Sequence, residues 1–203
     1  LRFNDDDTAY LSRTPSTAGN RKTWTISMWV KRGNLNTNQR LFTARALSTS
    51  APYLFIGFNV TTDILTIDAN TGSMYTTQVF RDTSAWYHIQ YTVDTTQATA
   101  SDRVKLYVNG SRITAFGVET YPALNADTAV NSSIAHWIGA LTNGAGSISE
   151  YFDGYLAEVN FVDGQALTPS DFGETDETYG HWKPKAYAGT YGTNGFYLDF
   201  KNS

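Results

Sequence analysis

Apolar and polar positions alternate with period two through most of the chain, the spacing that puts successive side chains on opposite faces of a β-strand. In Thr23–Lys31, Trp24, Ile26, Met28 and Val30 share one face, and Thr25, Ser27, Trp29 and Lys31 share the other. In Trp86–Val93, Tyr87, Ile89, Tyr91 and Val93 oppose Trp86, His88, Gln90 and Thr92; in Val104–Val108, Val104, Leu106 and Val108 oppose Lys105 and Tyr107. Asn109-Gly110 follows at once, a dipeptide suited to the two positive-φ positions of a type I′ turn, so a hairpin returning through Arg112-Ile113-Thr114 is predicted. Further strands are expected at Arg40–Ala46, Tyr53–Val60, Ile64–Asp68, Thr76–Phe80, Ser133–Ala140 and Tyr155–Val162, each bounded by turn-forming residues. No stretch of twelve residues keeps a helical period. One helical turn is predicted at Thr168–Phe172, where Thr168 can cap and Pro169 takes the first helical position. Many strands and almost no helix predict an all-β fold, a two-sheet antiparallel sandwich.

Composition agrees: 28 Thr, 13 Tyr, 11 Phe and 5 Trp are residues that suit a pleated, half-buried surface. A chain of 203 residues is read as one domain, residues 1–203, large enough to bury a core without staples. Within it, residues 173–203 are expected to run as an extended C-terminal coil followed by a final strand packed on the domain. Cysteine is absent, which removes thiol catalysis and a Cys-ligated zinc site. A net charge of −4 with no basic stripe argues against nucleic-acid binding by phosphate neutralisation. Apolar runs such as Tyr53–Ile56 are far short of a membrane span, so no membrane insertion is expected, and the start reads as neither a signal nor a transit peptide. The chain opens on Leu1 without an initiator Met, and it is read as a segment of a longer polypeptide.

Three stretches together resemble the laminin-G-like jelly roll of the concanavalin A-like lectin/glucanase superfamily. They are Thr25-Ile26-Ser27-Met28-Trp29-Val30-Lys31; Trp86-Tyr87-His88-Ile89 with Leu106-Tyr107-Val108-Asn109-Gly110; and Phe152-Asp153-Gly154-Tyr155-Leu156-Ala157-Glu158-Val159 with Ala166-Leu167-Thr168. The resemblance implies a jelly-roll topology for the sandwich. Leu1–Arg13, Trp24–Gly33, Asp163–Pro169 and Asn194–Phe200 further resemble domains of structural proteins of tailed bacteriophages, especially those of marine bacteria. That likeness implies a virion protein on the particle surface, assembled in the host cytoplasm, with other virion subunits as partners and homo-oligomerisation expected.

The chemistry is sparse. Glycosidases of the resembled superfamily carry carboxylates at alternate positions of one strand, side by side as nucleophile and acid. The nearest string here, Glu174-Thr175-Asp176-Glu177, is read as a solvated, Gly-bounded loop off any strand. His88, His136 and His181 have no metal-ligand spacing, and His88 is expected to be a hydrogen-bonded structural residue. An enzyme is therefore not expected. Sugar binding needs an aromatic plane for the apolar face of the ring and fixed polar groups for its hydroxyls. Tyr179, His181, Trp182, Tyr187 and Tyr191 are the candidates, in a segment with no periodic face to explain them; packing of the terminal coil and contact with a neighbouring subunit are the competing readings. The polar stretches Asn125–Ser133 and Thr142–Ser149, with Asn143, are further candidate rims. Trp29 and Trp137 are read as core by default. Asn4-Asp5-Asp6-Asp7 gathers four oxygen-bearing side chains near the first strand, either a calcium contributor or a turn capping its own amides. The resemblance makes Glu158 a partner of Asp5 and Asp6 for calcium, although Ala157 stands where the family usually has Asp. The leading expectation is a non-catalytic virion module of a fibre, spike or capsid appendage that attaches to host cell-surface glycan. A decoration or fibre-assembly domain without ligand is the alternative, and a polysaccharide-degrading enzyme a third.

Overall fold

The computed structural model describes residues 1–47, 52–143 and 145–201. They form two seven-stranded sheets in which every pairing is antiparallel. The first sheet runs Arg2–Phe3, Gly154–Asp163, Thr23–Arg32, Tyr87–Asp94, Val104–Val108, Ser111–Arg112, with Phe196–Leu198 also paired to Gly154–Asp163. The second runs Phe116–Glu119, Met74–Val79, Ile64–Ala69, Tyr53–Phe58, Gln39–Arg45, His136–Ile138, Leu11–Arg13. No helix among the described residues is long and apolar enough to cross a membrane.

The alternating positions set the core. Trp24, Ile26, Met28 and Val30 of the first sheet, with Ile89, Tyr91, Val93 and Leu106, face Phe42, Leu54, Ile56, Phe58 and Ile67 of the second, and all are buried. Trp24 is fully buried, yet its indole N–H donates to Thr128 Oγ1 at 3.0 Å, so the ring contributes its area without an orphaned donor. Asn109 and Gly110 take φ of 49° and 79°, the predicted turn, although the returning strand is only Ser111–Arg112. At the predicted helical turn, Pro169–Asp171 is a 3-10 helix in which the Thr168 N–H donates to Asp171 Oδ2 at 2.9 Å.

One end of the sandwich is pinned by a buried ion pair. Arg32, closing its strand in the first sheet, donates to Asp63 Oδ1 at 3.0 Å and to the Phe80 carbonyl at 2.6 Å, and lies 4.3 Å from the Phe58 ring centroid. Asp63 also accepts from the Asn36 N–H and from Arg81. Burial alone would raise the Asp63 pKa; the donors from Asn36, Arg81 and Arg32 more than offset this, so the carboxyl sits below its ordinary range. At the other end, Asp163 accepts from the Asn20 N–H, the Asn131 amide and the Asn194 N–H. Gly19 approaches this network so closely that a Cβ there would lie 2.3 Å from Asp163 Oδ2.

Several expectations change. The strand expected over Ser133–Ala140 is only His136–Ile138, because Gly139 turns the chain at φ 85°. Glu174 and Thr175 belong to a short strand, Gly173–Thr175, paired with Trp182–Pro184, so that string is not wholly a loop. Trp29 and Trp137 are buried, as expected of core residues, but lie outside the cluster packed between the sheets. Register places Trp29 with His88 and Trp137 with Thr43, the rows of the outer faces.

Candidate glycan-binding surfaces

The outer face of the first sheet is covered. Thr25, Ser27, His88 and Gln90 point away from the core yet are fully buried, because residues 165–191 cross above them. The Thr25 hydroxyl donates to the Gln165 carbonyl, and the Gln90 amide donates to the Leu167 carbonyl. Trp182 is part of this cover. Its indole N–H donates to His88 Nδ1 at 2.9 Å, and its ring occupies space that only Gly110 and Gly173 leave open, a Cβ at Gly173 falling 2.5 Å from it. An indole can only donate, so His88 Nδ1 is the acceptor and Nε2 carries the proton, directed at Ser27 Oγ 2.8 Å away. Trp29 stacks on the imidazole with ring centroids 5.2 Å apart. Burial draws the His88 pKa down from 6.5 to about 4, which keeps the ring neutral.

The structure divides the five C-terminal candidates. Trp182 is committed to His88. Tyr187 and Tyr191 meet edge to face at 5.2 Å, Tyr187 packs on Phe172 at 5.1 Å, and the Tyr191 hydroxyl donates to Asn160 Oδ1 at 2.7 Å, so both fasten the terminal coil to the domain. Tyr179 and His181 stay outside. They stack at 6.2 Å on the tip of the Gly173–Pro184 hairpin, where Tyr179 is 82% exposed. The Asp176 carboxylate holds this turn by accepting from the Thr178 and Tyr179 N–H groups and from Lys183. Those two backbone bonds and the lysine draw its pKa to about 2.

Asn143 is occupied with its own loop: its side-chain oxygen accepts from the Ala145 and Ser147 N–H groups. Within the Thr142–Ser149 stretch, residue 144 lies outside the described residues. In the Asn125–Ser133 stretch, Ala129, Val130 and Asn131 are buried and do not form a rim.

The expected calcium donors do not assemble. Arg2–Phe3 pairs with Gly154–Tyr155 in antiparallel register, which carries Asp5 and Asp6 past residue 153 and away from residue 158. Asp5 and Asp6 instead neighbour Asp153, whose pKa is raised by burial and then by their charge. Glu158 sits in a bulge at φ 50°, where it accepts from the Tyr197 hydroxyl at 2.5 Å. Among the described residues no cluster of three or more His, Cys, Asp or Glu side chains is arranged to hold a metal ion, so this set does not fit calcium.

The outer face of the second sheet carries a constellation that period-two reading does not single out. Register sets Trp137, Thr43, Phe55 and Asp68 in one row across four strands, with Arg45 beside Tyr53 and, in the next row, Gly57, Thr66 and Tyr75. Residues 140–143 and 145–150 lie against one side of this face: Thr43 Oγ1 donates to the Ala140 carbonyl, Arg45 to the Thr142 carbonyl, and Arg40 pairs with Glu150 at 2.6 Å. The remainder is open, with Tyr53, Asp68 and Tyr75 half-buried. Tyr53 and Phe55 stack at 4.8 Å. The Arg40 and Arg45 guanidiniums each lie 5.6 Å from the Phe55 centroid. Asp68 accepts from the Ser73 hydroxyl at 2.8 Å, and its charge acts on the Tyr75 hydroxyl. Burial and then the Asp68 charge raise the pKa of both tyrosines, so their hydroxyls stay protonated and able to donate. A Cβ at Gly57 would lie 2.0 Å from the Gln39 carbonyl oxygen, so only glycine fits where this strand passes its neighbour. Stacked aromatic planes, two guanidiniums, a carboxylate and hydroxyl donors are thereby fixed on strands, whose geometry is more rigid than that of loops.

A family model for the concanavalin A-like lectin/glucanase superfamily matches residues 4–171. No curated protein sequence matches the chain. Among solved structures, the fold is similar to the NanB sialidase of Streptococcus pneumoniae, as its K499G mutant, at 14% identity and TM-score 0.57 over 88% of this chain and 29% of that one. It is similar to the CBM40 of the Ruminococcus gnavus IT-sialidase at 13% identity and TM-score 0.52 over 79% of this chain and 95% of that one. A heptameric SAP-like pentraxin from Limulus polyphemus matches at 17% identity and TM-score 0.51 over 78% of this chain and 71% of that one.

Proposed function

The chain belongs to the concanavalin A-like lectin/glucanase superfamily, and we propose that it is a non-catalytic module that binds glycan on the outer face of its second sheet. The observation that carries this reading is the grouping of Tyr53, Phe55 and Tyr75 with Arg40, Arg45 and Asp68 on adjacent strands. Half-buried Tyr53 offers an apolar plane to one face of a sugar ring, while half-buried Asp68 and the Tyr75 hydroxyl lie beside it to hydrogen-bond its hydroxyls. The carboxylates of this face favour binding over hydrolysis. Asp68 accepts from the Ser73 hydroxyl and Glu150 pairs with Arg40, partners that fix both as positioned polar groups on this face. Similarity to the CBM40 of a sialidase supports the same reading.

Its setting is read as a tailed-phage fibre, spike or capsid appendage facing the host surface, on the likeness of Leu1–Arg13, Trp24–Gly33, Asp163–Pro169 and Asn194–Phe200 to virion domains. Many copies on one particle make a weak single site sufficient. A second reading, a fibre-assembly domain without ligand, is favoured by Tyr179, whose 82% exposure is what a subunit contact would cover.

Binding of the purified chain to a panel of bacterial surface polysaccharides tests the proposal. Saturable binding that Tyr53→Ala abolishes and Tyr179→Ala leaves intact, with no reducing ends released, is the expected result. Loss with Tyr179→Ala alone would move the site to the hairpin tip. No binding by an oligomeric wild-type chain that Tyr179→Ala makes monomeric would favour assembly instead.

A further inference from the structure

A second opening lies at an edge of the sandwich, between Leu11–Arg13 of the second sheet and Phe196–Leu198 of the first. There the two sheets part around a cavity of about 320 Å³. Leu11, Phe42, Ile138, Phe161, Phe196 and Leu198 give it apolar walls. The polar side chains deeper in the lining are already satisfied. His136 receives the Asn131 N–H at Nε2 and directs Nδ1 to the Ile134 carbonyl, which fixes it as the neutral Nδ1–H tautomer. The Asn131 and Asn194 amides bond to each other, and both residues also donate to Asp163.

Arg13 at the mouth differs. One of its five N–H donors goes to the Asn194 carbonyl at 2.8 Å, and its guanidinium lies 6.0 Å from the Phe196 centroid. Among the described residues no carboxylate lies within ion-pair distance of it. An apolar chamber with one uncommitted cation at its entrance is complementary to a molecule with an apolar tail and a single anionic head. We propose that this cavity binds an unbranched aliphatic carboxylate, tail between the sheets and head on Arg13. A dry cavity of about 150 Å³ takes six aromatic carbons, so this volume suits a chain of roughly ten carbons. The planar fork of arginine matches a carboxylate with two parallel hydrogen bonds. This site is separate from the aromatic face of the second sheet and does not rest on the glycan reading.

Titration of the whole chain with decanoate and with decanol, both below their self-association concentrations, by calorimetry and thermal shift, tests it. Decanoate is expected to bind saturably at one site and to raise the melting temperature, with decanol about tenfold weaker for want of the charged pair. Arg13→Gln, on an exposed edge strand where backbone pairing is kept, should bring decanoate down to the affinity of decanol and leave decanol unchanged. Leu11→Phe, which narrows the mouth and spares Arg13, should weaken both. Absence of saturable decanoate binding, equal affinity for the two probes in the wild type, or an unchanged preference in Arg13→Gln would each overturn the proposal.

Discussion

Replacing Trp182 separates a packing role from a ligand-binding one. In Trp182→Phe most of the ring stays in the slot beside Gly110 and Gly173, and the indole N–H that reaches His88 Nδ1 is lost. His88 has no exposed surface from which water could supply a substitute, so the acceptor is left unpaired at a cost of about 1–3 kcal/mol. For a domain of this length that lowers the melting temperature by roughly 2–4 °C per kcal/mol. Trp182→Ala removes the ring as well and should cost about 3–5 kcal/mol. Trp29 supplies the internal control, because it stacks on the same imidazole and, among the described residues, its own buried indole N–H has no hydrogen-bond partner. Trp29→Phe therefore removes a donor that pairs with nothing, and it should cost clearly less than Trp182→Phe. Urea denaturation of the three variants gives the energies, and nitrogen-15 shifts of the His88 ring report the Nε2–H tautomer in the wild type. If Trp182→Phe keeps wild-type stability but loses polysaccharide binding, the assignment of Trp182 to structure is wrong.

Other perturbations follow from the same contacts. Asp63→Asn leaves Arg32 buried without a counter-charge and should destabilise the fold by about 3–5 kcal/mol in chemical denaturation; a cost below about 1 kcal/mol would show that the ion pair does not pin that end. His88 and His136 both have pKa values drawn from 6.5 to about 4, chiefly by burial, so the unfolded chain takes up their protons first as pH falls. Their stabilisation is complete above pH 6.5 and fades towards pH 4, by about 3 kcal/mol each at the limit, and a melting temperature flat across that window would contradict it. Exchange of calcium for EDTA should change neither stability nor polysaccharide binding. A calcium-dependent rise in melting temperature that Asp153→Asn removes would instead place a cation between Asp5, Asp6 and Asp153.

Period-two alternation found the inward faces because they are set locally: Trp24, Ile26, Met28 and Val30 lie in one strand, and a strand with one buried face can take only one register. The Asn109-Gly110 turn was legible for the same reason, two adjacent residues suited to positive φ. Outer faces were not legible. Tyr53-Leu54-Phe55-Ile56 reads as a plain apolar run, and nothing local shows that Leu54 and Ile56 enter the core while Tyr53 and Phe55 face out. Aromatics on both faces of one strand were the signal available. Arg40, Arg45, Asp68 and Tyr75 join them only through the register of neighbouring strands. The C-terminal aromatics were visible as a group, but their division depends on His88, Asn160 and Phe172 lying underneath. Only the family resemblance paired Glu158 with Asp5 and Asp6; the register of Arg2–Phe3 and the bulge at Glu158 take it elsewhere.

Mapping backbone amide shifts during titration with a bound bacterial oligosaccharide tests the glycan site most directly. Saturable changes concentrated in residues 40–45, 53–57, 66–68 and 75–77, the strands of the open face, are the expected result. Changes confined to residues 176–183, or no saturable change with any ligand of the panel, would contradict it.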